Sequence, residues 1–423
     1  MNRRDFIRLC LSSGVGVAAA TFGRAQAQTP LAETSPEALA AQALLAFAPY
    51  LQQTGPQTAV VRWRTTAVAT AFVRWTQAEG AAPEAWQVSV AAQDGLIAAN
   101  RCDHCVPLQG VDPTKPLFVE VFSAPISAFA PYNIQMGEAL LMGRLTLAPW
   151  WRGTLDSAVE SDGLDLAIFN DLHGQTHLIP KLLAKLEPGV TPSVALFNGD
   201  CADDCQTQAG LEQRFLHALP PLMARGMRAL FLRGNHECRG AMARRIRENL
   251  SPLAEGRFYG AFSIGPVRLL FIDSGEDKPD DHPVYGGLLA CEAYLDEQAA
   301  WLREEVASSA WQAARFRFAF MHMPPHSPKA DRDAWRGPTR LREKIAPVLE
   351  NAKLDLMICG HNHSFAYTPV AGVHFPYQIV IGGGPSEESA TLLRLQVNGQ
   401  RWLLTPYRLT SRRAETIGSM KPA

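Results

Sequence analysis

Five short polar motifs, each closing an apolar run, restrict what this chain can fold into. They read Asp171-Leu-His173, Gly199-Asp200, Gly234-Asn235-His236-Glu237, Met-His-Met around His322, and Gly360-His361-Asn-His363. The runs before them are Leu164–Phe169, Ser193–Phe197, Arg228–Arg233, Phe316–Phe320 and Leu354–Ile358. An apolar run of five or six residues bounded by turn residues reads as a buried strand. Further strands are predicted at Val267–Ile272 and Gln378–Ile381. Helical periodicity covers Leu178–Leu186, Leu211–Met223, Glu297–Val306 and Thr339–Leu349, and Val397-Asn398-Gly399-Gln400-Arg401 reads as a hairpin turn. This alternation predicts a layered α/β (α+β) domain over about residues 160–411. In such sheets ligands sit beyond the carboxyl ends of the strands, where the motifs fall.

The motifs supply two Asp, one Asn and four His as candidate ligands, with a further His beside the Asn. Nitrogen and oxygen donors without a thiolate suit divalent Mn, Fe, Co or Zn. Seven ligands exceed the needs of one tetrahedral ion, so two ions sharing a carboxylate is the economical reading. In Asp171-Leu-His173 and His361-Asn-His363 the paired residues are two apart, and an extended backbone would point both the same way. The glycines at 199, 234 and 360 allow sharp turns and close approach to an ion. His177, Arg239, Arg244 and His326 lie near motifs and are equally open to structural or substrate-contact roles. Asp273 reads as a buried structural carboxylate and Trp150-Trp151 as packing between two bodies.

The chain is 423 residues long, with room for two cores. From Phe47 to about Ala124 short alternating segments such as Ala59–Arg64, Phe72–Trp75 and Phe118–Phe122 predict a small all-β sandwich within residues 45–150. Residues 28–44 read as a linker and 412–423 as a loose tail. At the N-terminus, Arg3-Arg4-Asp5-Phe6-Ile7, an apolar stretch from Leu9 to Phe22 and Ala25-Gln26-Ala27 form a cleavable signal over residues 1–27. Its arginine pair resembles a twin-arginine signal, with an ordinary secretory signal as the alternative. Export would involve the twin-arginine translocase and place the protein in the periplasm or outside the cell, with no lasting membrane anchor. Losing Arg3, Arg4, Arg8, Arg24 and Asp5 from 40 basic and 41 acidic residues would leave a net charge of −4. No basic block favours a nucleic-acid partner. Seven cysteines would remain, an odd number; disulfides, buried thiols and zinc half-sites at Cys102-x-x-Cys105 and Cys201-x3-Cys205 are all open.

In order and content the five motifs resemble the calcineurin-like metallophosphoesterase superfamily, whose pattern is D-x-H, GD-x-x-D, GNH[ED], a lone His and G-H-x-H. The resemblance implies that Asp171, His173 and His363 hold one metal, Asn235, His322 and His361 the second, and that Asp200 bridges them. It further implies that His236 contacts the phosphate and helps protonate the leaving oxygen, with Glu237 and Asp203 supporting the ligands from behind. Hydrolysis would then proceed by direct attack of a metal-bridging hydroxide on phosphorus. The segments Ala48-Pro-Tyr-Leu-Gln, Val61-Arg-Trp63 and Leu108–Pro113 resemble the fibronectin III-like N-terminal domain of purple acid phosphatases. That family, however, has D-x-G where Asp171-Leu-His173 stands and a Tyr where Asp203 stands, so its ferric colour is not implied here.

These implications favour a phosphomonoesterase acting on small phosphate esters. A phosphodiesterase or nuclease shares the same metal centre. A non-catalytic metal-binding or adhesive protein is the third reading, against which an intact His236 argues, since storage needs no proton donor.

Overall fold

The computed structural model describes residues 35–155, 159, 162–204, 206–253, 256–328, 333–370, 376–410 and 416–420. The proposed signal and Cys205 lie outside them. The chain divides into two compact units, one made of residues up to Gln53, Gln57–Pro149 and Pro220–Arg228, the other of Thr54–Pro56, Trp150–Leu219 and Ala229 onward. Among the described residues no helix is long and apolar enough to cross a membrane.

The first unit is largely antiparallel sheet. Its strands are longer than the sequence suggests: Thr58–Thr76 and Leu117–Ala130 run for 19 and 14 residues. The former changes partner midway. Residues 58–64 pair with Arg101–Gln109, residues 69–76 pair with Leu117–Ala130, and the register shifts between Arg64 and Ala69. Phe72 stacks on Phe122 at 4.9 Å beneath this surface. The region read as a linker instead ends in a helix, Pro36–Leu44. Its start carries ordinary capping chemistry: Ser35 accepts from the Ala38 N–H at 3.1 Å, and Pro36 supplies a preset φ.

The second unit holds two sheets. One contains, in spatial order, Ile417–Met420, Arg401–Arg408, Thr391–Val397, Gly163–Phe169, Val194–Asn198 and Arg228–Leu232. The other runs Gly260–Ile264, Val267–Ile272, Phe316–Met321, Leu356–Cys359, Gln378–Ile381, Ala366–Thr368, with its four inner strands parallel. Alternation along each strand assigns the faces. Leu269, Phe271, Phe318 and Phe320 join Leu166, Ile168, Leu196 and Leu230 in a core between the sheets. Leu270, Ile272, Ala319 and Met321 face the other way, against Leu295, Leu302 and Leu341 of the helices.

Several elements depart from the sequence reading. Trp150 and Trp151 are buried in the core of the second unit, Trp150 edge-on to Phe262 at 5.4 Å. The helix expected over Leu211–Met223 breaks into Gln208–Arg214, a 3-10 turn and Leu219–Ala224. Pro220 and Pro221 lack the N–H groups a continuous helix needs. The supposed tail contains a strand, Ile417–Met420, paired antiparallel with Arg401–Leu404.

Candidate metal centre

All five motifs leave the carboxyl ends of strands, three from one sheet and two from the other. Asp171 and His173 follow Gly163–Phe169, Asp200 follows Val194–Asn198, and Asn235 follows Arg228–Leu232. His322 follows Phe316–Met321, and His361 and His363 follow Leu356–Cys359. Only across the sheet–sheet gap do the two sets meet.

The backbone there is not extended, which corrects the reason given above for the paired residues. Nine non-glycine residues among those described have positive φ, and five are motif residues: Asp171 (51°), His173 (46°), Asp200 (52°), His361 (71°) and His363 (52°). Each such residue costs roughly 1–3 kcal/mol and persists only where the surroundings over-determine it. Left-handed turns at alternate residues, rather than a pleat, aim both members of each pair inward. The glycines serve close approach. A Cβ on Gly199 would stand 2.5 Å from the His322 ring, and one on Gly234 would overlap the Asp200 carboxylate.

Two groups of ligand atoms result, Asp171 with His173 and His363, and Asp200 with His322 and His361, each within 4.8 Å of one another. His173 Nε2 and His363 Nε2 are 2.9 Å apart. The carboxylates tie the groups together. Asp171 lies 3.5 Å from His363 and 3.8 Å from His322, and Asp200 lies 3.0 Å from His322 and 3.6 Å from His173. Asn235 Oδ1 is 3.1 Å from His361 Nδ1, so the Asn joins the second group. A third cluster brings His236 and Asp203 to His173.

The surrounding bonds fix how these side chains are presented. Asp203 Oδ1 is 2.7 Å from His173 Nδ1, and a carboxylate only accepts, so the proton sits on Nδ1 and Nε2 turns its lone pair inward. The Asn198 carbonyl likewise accepts from His322 Nδ1 at 3.0 Å, which turns Nε2 toward Asp200. The Asp171 carboxylate accepts the His361 N–H at 2.8 and 2.9 Å, and Asp200 Oδ1 accepts the His236 N–H at 2.9 Å. Glu237 stands behind. Its buried carboxylate accepts from the N–H groups of Asp200 (2.9 Å), Cys201 (2.8 Å), Ala202 (3.4 Å) and Gly234 (2.8 Å).

Burial disfavours charge here, and the carboxylates respond unequally. Burial, reinforced by Asp200, raises Asp171 to about 6 although His322 opposes it. Burial also opposes ionisation of Asp200, but His322 outweighs it and holds Asp200 well below the ordinary carboxylate range. His322 is pushed up to about 10 against its own burial by Asp200 and Asp171. The pocket therefore demands positive charge between its two carboxylates. A hard or borderline cation meets that demand, and the nitrogen and oxygen donor set suits one.

Sequence reasoning passed over Asn198 and Glu276 and left Arg239 with an open role. Asn198 Nδ2 donates to Asn170 Oδ1 at 2.8 Å, tying two adjacent strand ends. Arg239 donates to His236 Nε2 at 2.9 Å while Glu276 grips its other edge at 2.7 and 2.8 Å. A single Arg three residues after a motif gave no sign of that grip, because Glu276 lies 37 positions away. Arg244 instead bonds the Leu288 carbonyl, and His326 faces Asp333 at 3.1 Å. Asp273 is buried against Arg233, with Nε–Oδ2 at 2.9 Å. The thiols of Cys201, Cys238, Cys291 and Cys359 are free, as are Cys102 and Cys105. Burial pushes Cys201 and Cys359 well above the usual thiol range, which leaves them poor ligands.

Comparison with known proteins agrees with this architecture. Residues 164–365 match the calcineurin-like phosphoesterase family model. No curated protein matches the sequence. Among solved structures, a purple acid phosphatase from yellow lupin seeds superposes with a TM-score of 0.64 at 13% identity, covering 89% of this chain and 75% of that one. A phosphopantetheinyl hydrolase from Mycobacterium tuberculosis gives a TM-score of 0.34 at 16% identity, over 52% and 89% of the respective chains. All five motifs lie inside the matched residues 164–365, so this segment is similar to calcineurin-like phosphoesterase domains, and the chain is a metal-dependent phosphoester hydrolase.

Proposed function

We propose that the protein is an exported binuclear-metal phosphoesterase that favours phosphomonoesters. The observation supporting two metals is the pair of three-residue groups, each with one buried carboxylate that also lies 3.8 Å (Asp171) or 3.6 Å (Asp200) from a histidine of the other group. Asp171, His173 and His363 would hold one ion, Asn235, His322 and His361 the other, with Asp200 between them. The ions are divalent Mn, Fe, Zn or Co. When bound they would lower the pKa of a shared water and offset charge on the phosphoryl oxygens. The preference for monoesters follows from likeness of layout to a purple acid phosphatase. The test is metal-stripped protein reloaded with each ion in turn, assayed on a chromogenic phosphomonoester and its diester. Faster monoester cleavage is expected, and no hydrolysis with any ion would overturn the proposal.

Within that site the protein's own residues divide the work. Water oxygen bonds to phosphorus as the ester P–O bond breaks, and the departing oxygen needs a proton. The attacking water releases a proton that neutralises that oxygen, and His236 is placed to donate a hydrogen bond to it as it departs. Arg239 only donates, so His236 Nε2 accepts and the ring proton sits on Nδ1. That Nδ1 is buried, makes no hydrogen bond and lies 3.3 Å from Asp204. His236→Ala should therefore keep both metals and slow turnover by about 10²–10⁴-fold, less for esters with acidic leaving groups. The measurement pairs a good and a poor leaving group with metal analysis. A uniform loss with one ion missing would make His236 a ligand instead.

Export is part of the same proposal and rests on Arg3-Arg4 and Ala25-Gln26-Ala27. Changing both arginines to lysine should leave an unprocessed precursor in the cytoplasm. Normal amounts of mature protein beyond the inner membrane would rule out the twin-arginine route.

A further inference from the structure

We infer that Trp335 is a specificity-determining residue, a fixed aromatic platform that selects phosphate esters with a planar aromatic leaving group. The inference rests on the phosphoesterase reading above and adds the substrate class. Trp335 is 38% exposed, yet it is not remote from the chemistry. Its ring meets that of His361 edge-to-face, with centroids 5.5 Å apart and planes at 79°. An exposed indole thus stands directly beside a residue of the second ligand group.

The platform is held in place. Trp335 is the N-cap residue of the helix Arg336–Lys344, and its carbonyl accepts from the Thr339 N–H at 3.1 Å and the Thr339 hydroxyl at 2.9 Å. Arg336 is clamped on Glu292 at 2.8 and 3.0 Å. The Gly337 N–H donates to the Asp277 carbonyl at 3.0 Å. A Cβ on Gly337 would meet Met323 Sδ at 2.7 Å, so the helix start is seated tightly against the segment that carries His322. A rigid aromatic with two side-chain torsions loses little freedom when a second ring packs on it. Once phosphorus sits between the ligand groups, the ester oxygen and its substituent must point out of the pocket, and the exposed indole is an apolar surface next to His361. A flat ring there gains stacking area that a short alkyl chain lacks.

The test separates binding from leaving-group reactivity by using phosphonates, which the enzyme cannot hydrolyse. Inhibition constants of benzylphosphonate and propylphosphonate are measured on the manganese-loaded protein against a chromogenic phosphomonoester. The native protein should prefer the aryl compound by about tenfold, in keeping with aromatic stacking energies. Trp335→Ala and Trp335→Leu should both bring that ratio close to one, whereas Trp335→Phe should keep most of it. A nucleoside monophosphate and an aryl phosphate compared as substrates then distinguish the two natural sources of a flat leaving group. A ratio that stays fixed while both constants rise together would show that Trp335 merely shields His361, and would overturn the inference while leaving the phosphoesterase reading intact. Manganese-loaded protein inert to every monoester would fail both.

Discussion

Replacing Asp200 with Asn should cost at least about 10³-fold in turnover and leave the protein unable to retain two metal ions. The substitution is close to isosteric, and its amide oxygen can still accept the His236 N–H that Asp200 accepts at 2.9 Å. What it removes is charge. Asp200 is buried, lies 3.0 Å from His322 and 3.6 Å from His173, and so faces residues of both ligand groups. A carboxylate can satisfy two cations at once, whereas an amide oxygen offers only a dipole to either. Loss of several kcal/mol of charge stabilisation corresponds to three or more powers of ten in rate. Turnover and bound metal should therefore fall together. Asp171→Asn serves as the comparison. Asp171 also faces both groups, but it accepts two contacts from the His361 N–H, so backbone placement suffers alongside charge. If Asp200→Asn retained two tightly held ions at near-normal turnover, Asp200 would not be the shared ligand, and Asp171 would be the residue to test next.

How much of this was legible in the sequence depends on the range of the forces involved. The strands Val267–Ile272 and Phe316–Met321 were readable because buried parallel strands are continuous apolar runs, and their ends were marked by the motifs themselves. The helix Cys291–Ala307 was read only from Glu297. Its first turn is capped by Asp280, which accepts from the N–H groups of Cys291 at 2.9 Å and Glu292 at 3.0 Å across a loop, so no local cap announces it. The strand Ile417–Met420 exists through pairing with Arg401–Leu404, and its own residues carry no alternation strong enough to signal it. At the site, residue types identified the ligand set, since Asp, Asn and His at successive strand ends have a common chemistry. The conformation that presents them was not legible. Left-handed turns at Asp171, His173, His361 and His363 are imposed by contacts between motifs some 190 positions apart, such as the His361 N–H on Asp171. For the same reason Trp335 was invisible as part of the site and the role of Arg239 stayed open: their partners His361 and Glu276 are brought to them only by the fold.

Glu237 is where that long-range control can be measured. The prediction is that Glu237→Ala lowers the melting temperature by about 6–12 °C and reduces metal retention, although Glu237 touches no ligand atom in either group. Its carboxylate accepts three N–H groups at 2.8–2.9 Å, from Asp200, Cys201 and Gly234, and a fourth from Ala202 at 3.4 Å. Three of these belong to the turn that carries Asp200 and one to the turn that carries Asn235. Removing the carboxylate leaves buried donors unpaired at roughly 1–3 kcal/mol each, so at least about 3 kcal/mol is at stake. For a unit of this size each kcal/mol moves the midpoint by about 2–4 °C. The left-handed backbone of Asp200, at φ 52°, persists only while that clamp holds it, so the ligand should drift as the clamp is lost. Glu237→Gln refines the test. It keeps the volume and one acceptor oxygen but turns an amide N–H₂ toward backbone donors, and it should fall between the native protein and the alanine variant in both readouts. Stability falling while metal content stays at two per chain would confine Glu237 to the fold. Neither quantity changing would mean that the turns carrying Asp200 and Asn235 are held by their own glycines and by the His236 N–H bond to Asp200, with the carboxylate behind them incidental.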